Sequence, residues 1–103
     1  MSRYDVLVVD DEASIRKLLL QILQSDEINV VTAADGRAAL ELMRSQTFDL
    51  MILDLMMGSA DGFDIIRQLR EQRNYVPILV LSARSDDSDK VYSFSIEIGR
   101  AHV

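Results

Sequence analysis

The residues able to do chemistry in this chain are an acidic pair, Asp10-Asp11, a lone aspartate, Asp54, and a hydroxyl, Ser82. Each follows a short apolar run. Asp10 comes after YDVLVV (4–9), Asp54 after DLMIL (49–53) and Ser82 after ILVL (78–81). Taken singly, these are ordinary positions: an aspartate after a strand makes a turn or caps a helix, and a serine there is a loop hydroxyl. Their combination is what carries information. In an open α/β sheet, ligands bind outside the carboxyl ends of the strands, so three such ends on neighbouring parallel strands would share one rim. Aspartates gathered there repel one another unless a cation neutralises them. Carboxylates, waters and a carbonyl form the ligand set that Mg²⁺ prefers. The predicted metal site is Asp10, Asp11 and Asp54, with the backbone carbonyl of Met56 completing it. Such a site suits phosphoryl transfer, because a metal offsets the charge of the transferring group and a carboxylate nucleophile yields an acyl phosphate. Asp54 is the predicted nucleophile and Ser82 the hydroxyl that hydrogen-bonds a phosphoryl oxygen. Asp61-Gly62 reads only as a turn and a helix start.

Those groups must be positioned by an alternation of strands and helices. Tyr4 to Val9 reads as a first strand. Ile15, Leu18, Leu19, Ile22 and Leu23 recur on one helical face, predicting a helix from about Ala13 to Ser25, capped by Ser14 or Asp11. Asn29 to Ala33 is a second strand, and a helix from about Arg37 to Ser45 follows the Asp35-Gly36 break, with Ala39, Leu40 and Met43 inward. Asp49 to Leu53 is the third strand. Phe63, Ile66 and Leu69 mark the inner face of a third helix. After Val76-Pro77, Ile78 to Leu81 is a fourth strand, Ser82 to Asp89 a polar loop, and a fourth helix starts near Asp86 to Lys90. The βαβαβαβα order predicts a doubly wound parallel sheet with helices on both faces. The unbroken apolar runs fit strands buried on both sides.

Bulk properties restrict the alternatives. At 103 residues, 49% of them hydrophobic and 27% charged, the chain has the size and composition of one globular domain. It has no cysteine, which excludes disulfides, thiolate metal sites and thiol catalysis. No apolar run reaches membrane-spanning length and no secretory leader pattern opens the chain, so a cytoplasmic location is expected. A net charge of −6 disfavours general nucleic-acid binding.

The segments VLVVDDE (6–12), DLMILDLMM (49–57), DGFDIIRQLR (61–70) and VPILVLSAR (76–84) together resemble the response-regulator receiver domain of two-component signalling, in register from residue 4 to about 96. The resemblance implies a flavodoxin-like fold of strand order 2-1-3-4(-5). It implies that Asp54 is the phosphoacceptor, that Asp11 binds Mg²⁺ directly and Asp10 through water, that Met56 lends its carbonyl, and that Ser82 is the switch hydroxyl. The donor would be a phosphohistidine on a sensor histidine kinase or phosphotransfer protein, and the domain itself would be an acceptor rather than an enzyme. DSDKV and VPILVLSAR look most like receivers joined to a winged-helix domain, so DNA would be reached only through an effector domain outside this chain. Dimerisation would use the face after Ser82.

Two stretches depart from the family pattern. Gly58-Ser59-Ala60 stands where a Pro-Gly is common. From Glu97 onward the expected fifth strand, its Lys-Pro pair and the fifth helix are missing, and no lysine aligns with the one that contacts phosphate in the family. The domain is therefore expected to span 1–96, with Ile78 to Leu81 left as an exposed apolar edge, low stability and slow phosphorylation. EIGRAHV (97–103) reads as the in-frame translation of a sequencing-adapter oligonucleotide, so this tail is expected to be an assembly artefact and His102 to play no part in the site. Three other readings can be weighed. An aspartate-nucleophile phosphatase needs an aspartate where Met56 stands. A flavin-binding domain needs a phosphate loop where Asp10-Asp11-Glu12 would repel phosphate. A pseudo-receiver that signals without phosphate would be favoured by a broken acidic triad, and this one is intact.

Overall fold

A computed structural model describes residues 3–55, 62–84 and 91–97, the last group and residues 82–84 as backbone only. The strands are β1 (Tyr4–Val9), β2 (Ile28–Ala33), β3 (Leu50–Asp54), β4 (Ile78–Arg84) and β5 (Val91–Glu97). The helices are α1 (Ala13–Leu23), α2 (Gly36–Ser45) and α3 (Gly62–Glu71). They build one five-stranded sheet of order β2-β1-β3-β4-β5, in which β1 to β4 are all parallel. The order expected for the first four strands is the order found.

The apolar runs are explained by what lies on each side of the sheet. Successive residues of a strand point to opposite faces. Leu7 and Val9 of β1 therefore join Met51, Leu53, Ile65 and Leu69 in the larger cluster, beneath α2 and α3. Val6 and Val8 join Val30, Ile52 and Leu81 in the smaller one, where Leu19 and Leu23 of α1 pack. Asp35 starts α2 by accepting a hydrogen bond from the Ala38 N–H at 2.8 Å, so this residue caps a helix as well as breaking a strand.

Helix faces depart from expectation at three points. The N-cap residue of α1 is Glu12, whose side chain makes no capping bond and whose N–H donates to the Asp10 carboxylate. Leu18 and Ile22, expected inward, are 49% and 65% exposed, since α1 lies over β1 and β2 and only its Leu19–Leu23 stripe meets the sheet. On α3 the buried residues are Gly62, Ile65 and Leu69, and Ile66 is half-buried against the larger cluster as expected, while Phe63 is exposed.

The largest correction concerns residues 85 to 97. A fourth helix was expected near Asp86 to Lys90, and β4 was expected to be a bare edge. Residues 85–90 lie outside the described residues, but 91–97 form β5, which pairs antiparallel with β4 from Ile78↔Glu97 to Arg84↔Val91. The segment VYSFSIE alternates apolar residues with serine at the two-residue period of a strand and is rich in aromatic and β-branched types. Pairing satisfies the N–H and C=O groups of a β4 edge that would otherwise be bare. Among the described residues there is no parallel fifth strand and no helix after β4, so the fifth sheet position is filled by a hairpin strand in the opposite direction.

Candidate functional site

Register carries the acidic groups to one place. Val9 is paired with Ala33 on one side and Leu53 on the other, so Asp10 and Asp54 each stand at the end of adjacent central strands. Asp54 is itself paired with Leu81, and the Leu55 N–H donates to the Leu81 carbonyl at 3.2 Å. One carboxylate oxygen from each of Asp10, Asp11 and Asp54 lies within 4.8 Å of the others. Asp10 is buried, Asp54 half-buried and Asp11 exposed.

Asp10 is the organising residue. Its N–H donates to the Ala33 carbonyl at 3.1 Å, its Oδ1 accepts from the Glu12 N–H at 2.9 Å, and its carbonyl accepts from the Arg16 guanidinium at 2.7 Å. Burial pushes the Asp10 carboxyl above the ordinary aspartate range. The Glu12 N–H opposes that shift, and the negative charges of Asp54, Asp11 and Glu12 add to it. A carboxylate that is buried and crowded by like charges is one whose ionised form a divalent cation would stabilise. The donor set, three carboxylates and no nitrogen or sulfur, fits a hard oxygen-seeking ion.

The other two predicted contributors are placed less fully. Ser82 continues β4 one residue past Leu81, with its backbone opposite Ser93, and its side chain lies outside the described residues. Met56 lies wholly outside them. One participant escaped the sequence reading. Gly62, taken as a plain helix start, packs so closely that a Cβ there would lie 2.7 Å from the Leu55 Cα and 3.0 Å from the Asp54 carbonyl oxygen. Its position directly after Asp61, eight residues beyond Asp54, was the available hint.

The Asp10 environment gives a pH-dependent expectation. Because Asp10 keeps its proton to higher pH in the fold than in the unfolded chain, its contribution to stability is full at acid pH, below the ordinary aspartate range. That contribution is lost as pH rises through the raised value. Asp10→Asn removes the charge and keeps an oxygen to accept from the Glu12 N–H. Without metal at pH 7 its melting midpoint should exceed that of the unsubstituted chain by several degrees, since ~1 kcal/mol moves a domain of this size by roughly 4–8 °C. The gap should close at acid pH, and millimolar Mg²⁺ should stabilise the unsubstituted chain more than the variant. A variant that melts lower at pH 7 without metal would contradict this account of Asp10.

A doubly wound sheet with converging aspartates at the ends of β1 and β3 defines a class of signalling domain, and sequence comparison agrees. The response regulator receiver domain family model matches residues 6–100, and the chain belongs to that family. It is 42% identical over 94 residues to the alkaline phosphatase synthesis transcriptional regulatory protein PhoP of Bacillus subtilis, covering 91% of this chain and 38% of that protein. The chain thus spans about two fifths of the length of the curated relatives it matches. Among solved structures, a response regulator receiver protein from Pseudomonas putida is 38% identical with a TM-score of 0.75, covering 84% of this chain and 73% of that one. The response regulator TrrA of Thermotoga maritima, solved in complex with Mg²⁺-BeF, is 36% identical with a TM-score of 0.72, covering 80% and 71%.

Proposed function

We propose that this domain accepts a phosphoryl group on Asp54 in a Mg²⁺-dependent two-component relay. The observation that carries the reading is the convergence of the Asp10, Asp11 and Asp54 carboxylates within 4.8 Å at the rim where β3 ends. Asp10, Asp11, Asp54 and the Met56 carbonyl would hold Mg²⁺, which when bound supplies positive charge to offset that of the phosphoryl group. An Asp54 carboxylate oxygen forms the new bond to phosphorus, the phosphorus–nitrogen bond of a kinase or phosphotransfer phosphohistidine breaks, and the freed imidazole takes up a proton. Asp54 is delivered by a rigid strand end, which limits the entropy lost on reaching the donor. Ser82 would hydrogen-bond a phosphoryl oxygen. The domain acts as an acceptor and switch rather than as an enzyme turning over a separate substrate. Support for Mg²⁺ comes from the Mg²⁺-BeF complex of the Thermotoga maritima relative.

The output would lie in further sequence. The Bacillus subtilis relative is named a transcriptional regulator, so DNA binding through a separate effector domain and dimerisation through the surface after Ser82 belong to the same proposal, as does a cytoplasmic site of action. Among the described residues no helix is long and apolar enough to cross a membrane. The tail 97–103 is proposed to be foreign to the natural protein. Reading the same locus from an independent clone and finding EIGRAHV again would refute that.

Incubating the chain with a small phosphodonor and Mg²⁺ should add one phosphoryl mass, slowly in the absence of an aligned lysine. The label should be lost with a chelator and in Asp54→Asn. Labelling that persists in Asp54→Asn would place the acceptor elsewhere and overturn the reading.

A further inference from the structure

The turn between β1 and α1 is only three residues long, Asp10-Asp11-Glu12, yet it holds two carboxylates of the acidic cluster against the third. Like charges this close favour any movement that separates them, and nothing about a short turn prevents such movement by itself. Its ends are held by backbone bonds, Asp10 N–H to the Ala33 carbonyl and Arg16 N–H to the Glu12 carbonyl, both at 3.1 Å, and two bonds through side chains bear on Asp10 itself. One is internal, the Glu12 N–H to Asp10 Oδ1 bond at 2.9 Å, but it uses an oxygen that a cation would compete for. The other comes from outside the turn: the Arg16 guanidinium, in the first turns of α1, reaches back to the Asp10 backbone carbonyl at 2.7 Å. That bond is short, as charge-assisted bonds are, and consumes no carboxylate. Asp10 is 3% exposed, so its carbonyl, just past the last paired residue of β1, would be a buried acceptor in need of a donor without Arg16. Arg16 is half-buried, and among the described residues its guanidinium makes no ion pair.

We infer that Arg16 is a positioning residue: by clamping the Asp10 carbonyl to α1 it holds the Asp10 and Asp11 carboxylates beside Asp54 before a cation arrives. The inference rests on the Mg²⁺ reading of the site given above. A guanidinium suits the task because it is long and planar and presents several donors in a fixed fork.

The sign of the effect on metal binding separates this role from a purely electrostatic one. A cation next to an acidic site repels Mg²⁺, so deleting Arg16 as a mere charge would tighten binding. Deleting it as a clamp should loosen binding. Arg16→Met, which keeps the aliphatic stem, should weaken Mg²⁺ binding measured by calorimetry roughly tenfold, the usual scale for residues that orient metal ligands. In the metal-free protein, hydrogen exchange at the Glu12 amide should accelerate while the amides of Met51 to Leu53 keep their protection. Arg16→Lys, with a cationic donor of shorter reach, should loosen Mg²⁺ binding less, and it serves as the comparison if Arg16→Met does not fold. Unchanged or tighter Mg²⁺ binding, or acceleration spread evenly over the slow amides of the sheet, would overturn the inference. An unsubstituted chain that fails to bind millimolar Mg²⁺ would refute the metal reading instead, and the exchange measurement on metal-free protein would then decide the clamp alone.

Discussion

Leu7→Ala is expected to cost about 2–5 kcal/mol of folding stability, the range for truncating a fully buried leucine. Leu7 is 0% exposed and lies on β1, an inner strand of the sheet, paired with Val31 of β2 and Met51 of β3. Its side chain belongs to the larger cluster, where the sheet meets α2 and α3. The backbone on both sides is held by strand ladders, so the surroundings cannot collapse easily into the space left behind, which favours the upper part of the range. Domains of this kind have total stabilities of roughly 5–15 kcal/mol, so the variant would lose a large share of its margin. Urea unfolding should show a lower midpoint with an unchanged slope, the signature of lost stability rather than of an altered unfolded state. Leu18→Ala on α1, at a residue 49% exposed, is the control and should shift the midpoint little. A Leu7→Ala loss under about 1 kcal/mol would mean that the larger cluster is loosely packed.

Gly62→Ala sets two effects against each other. Alanine is the better helix former by about 1 kcal/mol, and Gly62 is the first residue of α3, so propensity alone predicts stabilisation. The added methyl, however, would sit 2.7 Å from the Leu55 Cα and 2.9 Å from the Leu55 Cδ2. A side-chain tip can swing away, but a backbone Cα directly after β3 cannot move without shifting the strand end that carries Asp54. Overpacking of this kind costs about 1–3 kcal/mol, so the net expectation is destabilisation. The displacement also touches the Asp54 carbonyl, 3.0 Å from the added atom, so Mg²⁺ affinity should fall together with the melting midpoint. A Gly62→Ala protein that melts higher and binds Mg²⁺ as well as the unsubstituted chain would show that α3 can slide outward at little cost.

Both substitutions bear on how far the chain could be read before its fold was known. VLVV and MIL announce strands because a run that is apolar at every position has to be covered on both faces, and that is a property of consecutive residues. The direction of α1 over the sheet is not local, and so the five apolar positions on that helix could not be sorted into the Leu19–Leu23 stripe that packs, the half-buried Ile15, and the Leu18 and Ile22 that face outward. The same holds for Phe63 and Ile65 on α3, where docking through Gly62 chooses which residue turns inward.

By itself the sequence determined the strand-helix alternation, the family, and the three aspartates of the site, because the Asp10-Asp11 pair and Asp54 each follow an apolar run and parallel strands end on one rim. Only the tertiary structure decided that residues 91–97 run antiparallel to β4. VYSFSIE has the period of a strand, but its partner and direction depend on an edge formed by residues distant in the chain. Only the tertiary structure, too, brought the Arg16 guanidinium to the Asp10 carbonyl and Gly62 against Leu55. Such contacts follow from the angle and distance at which two elements pack, and those are settled by the whole core at once rather than by any one segment.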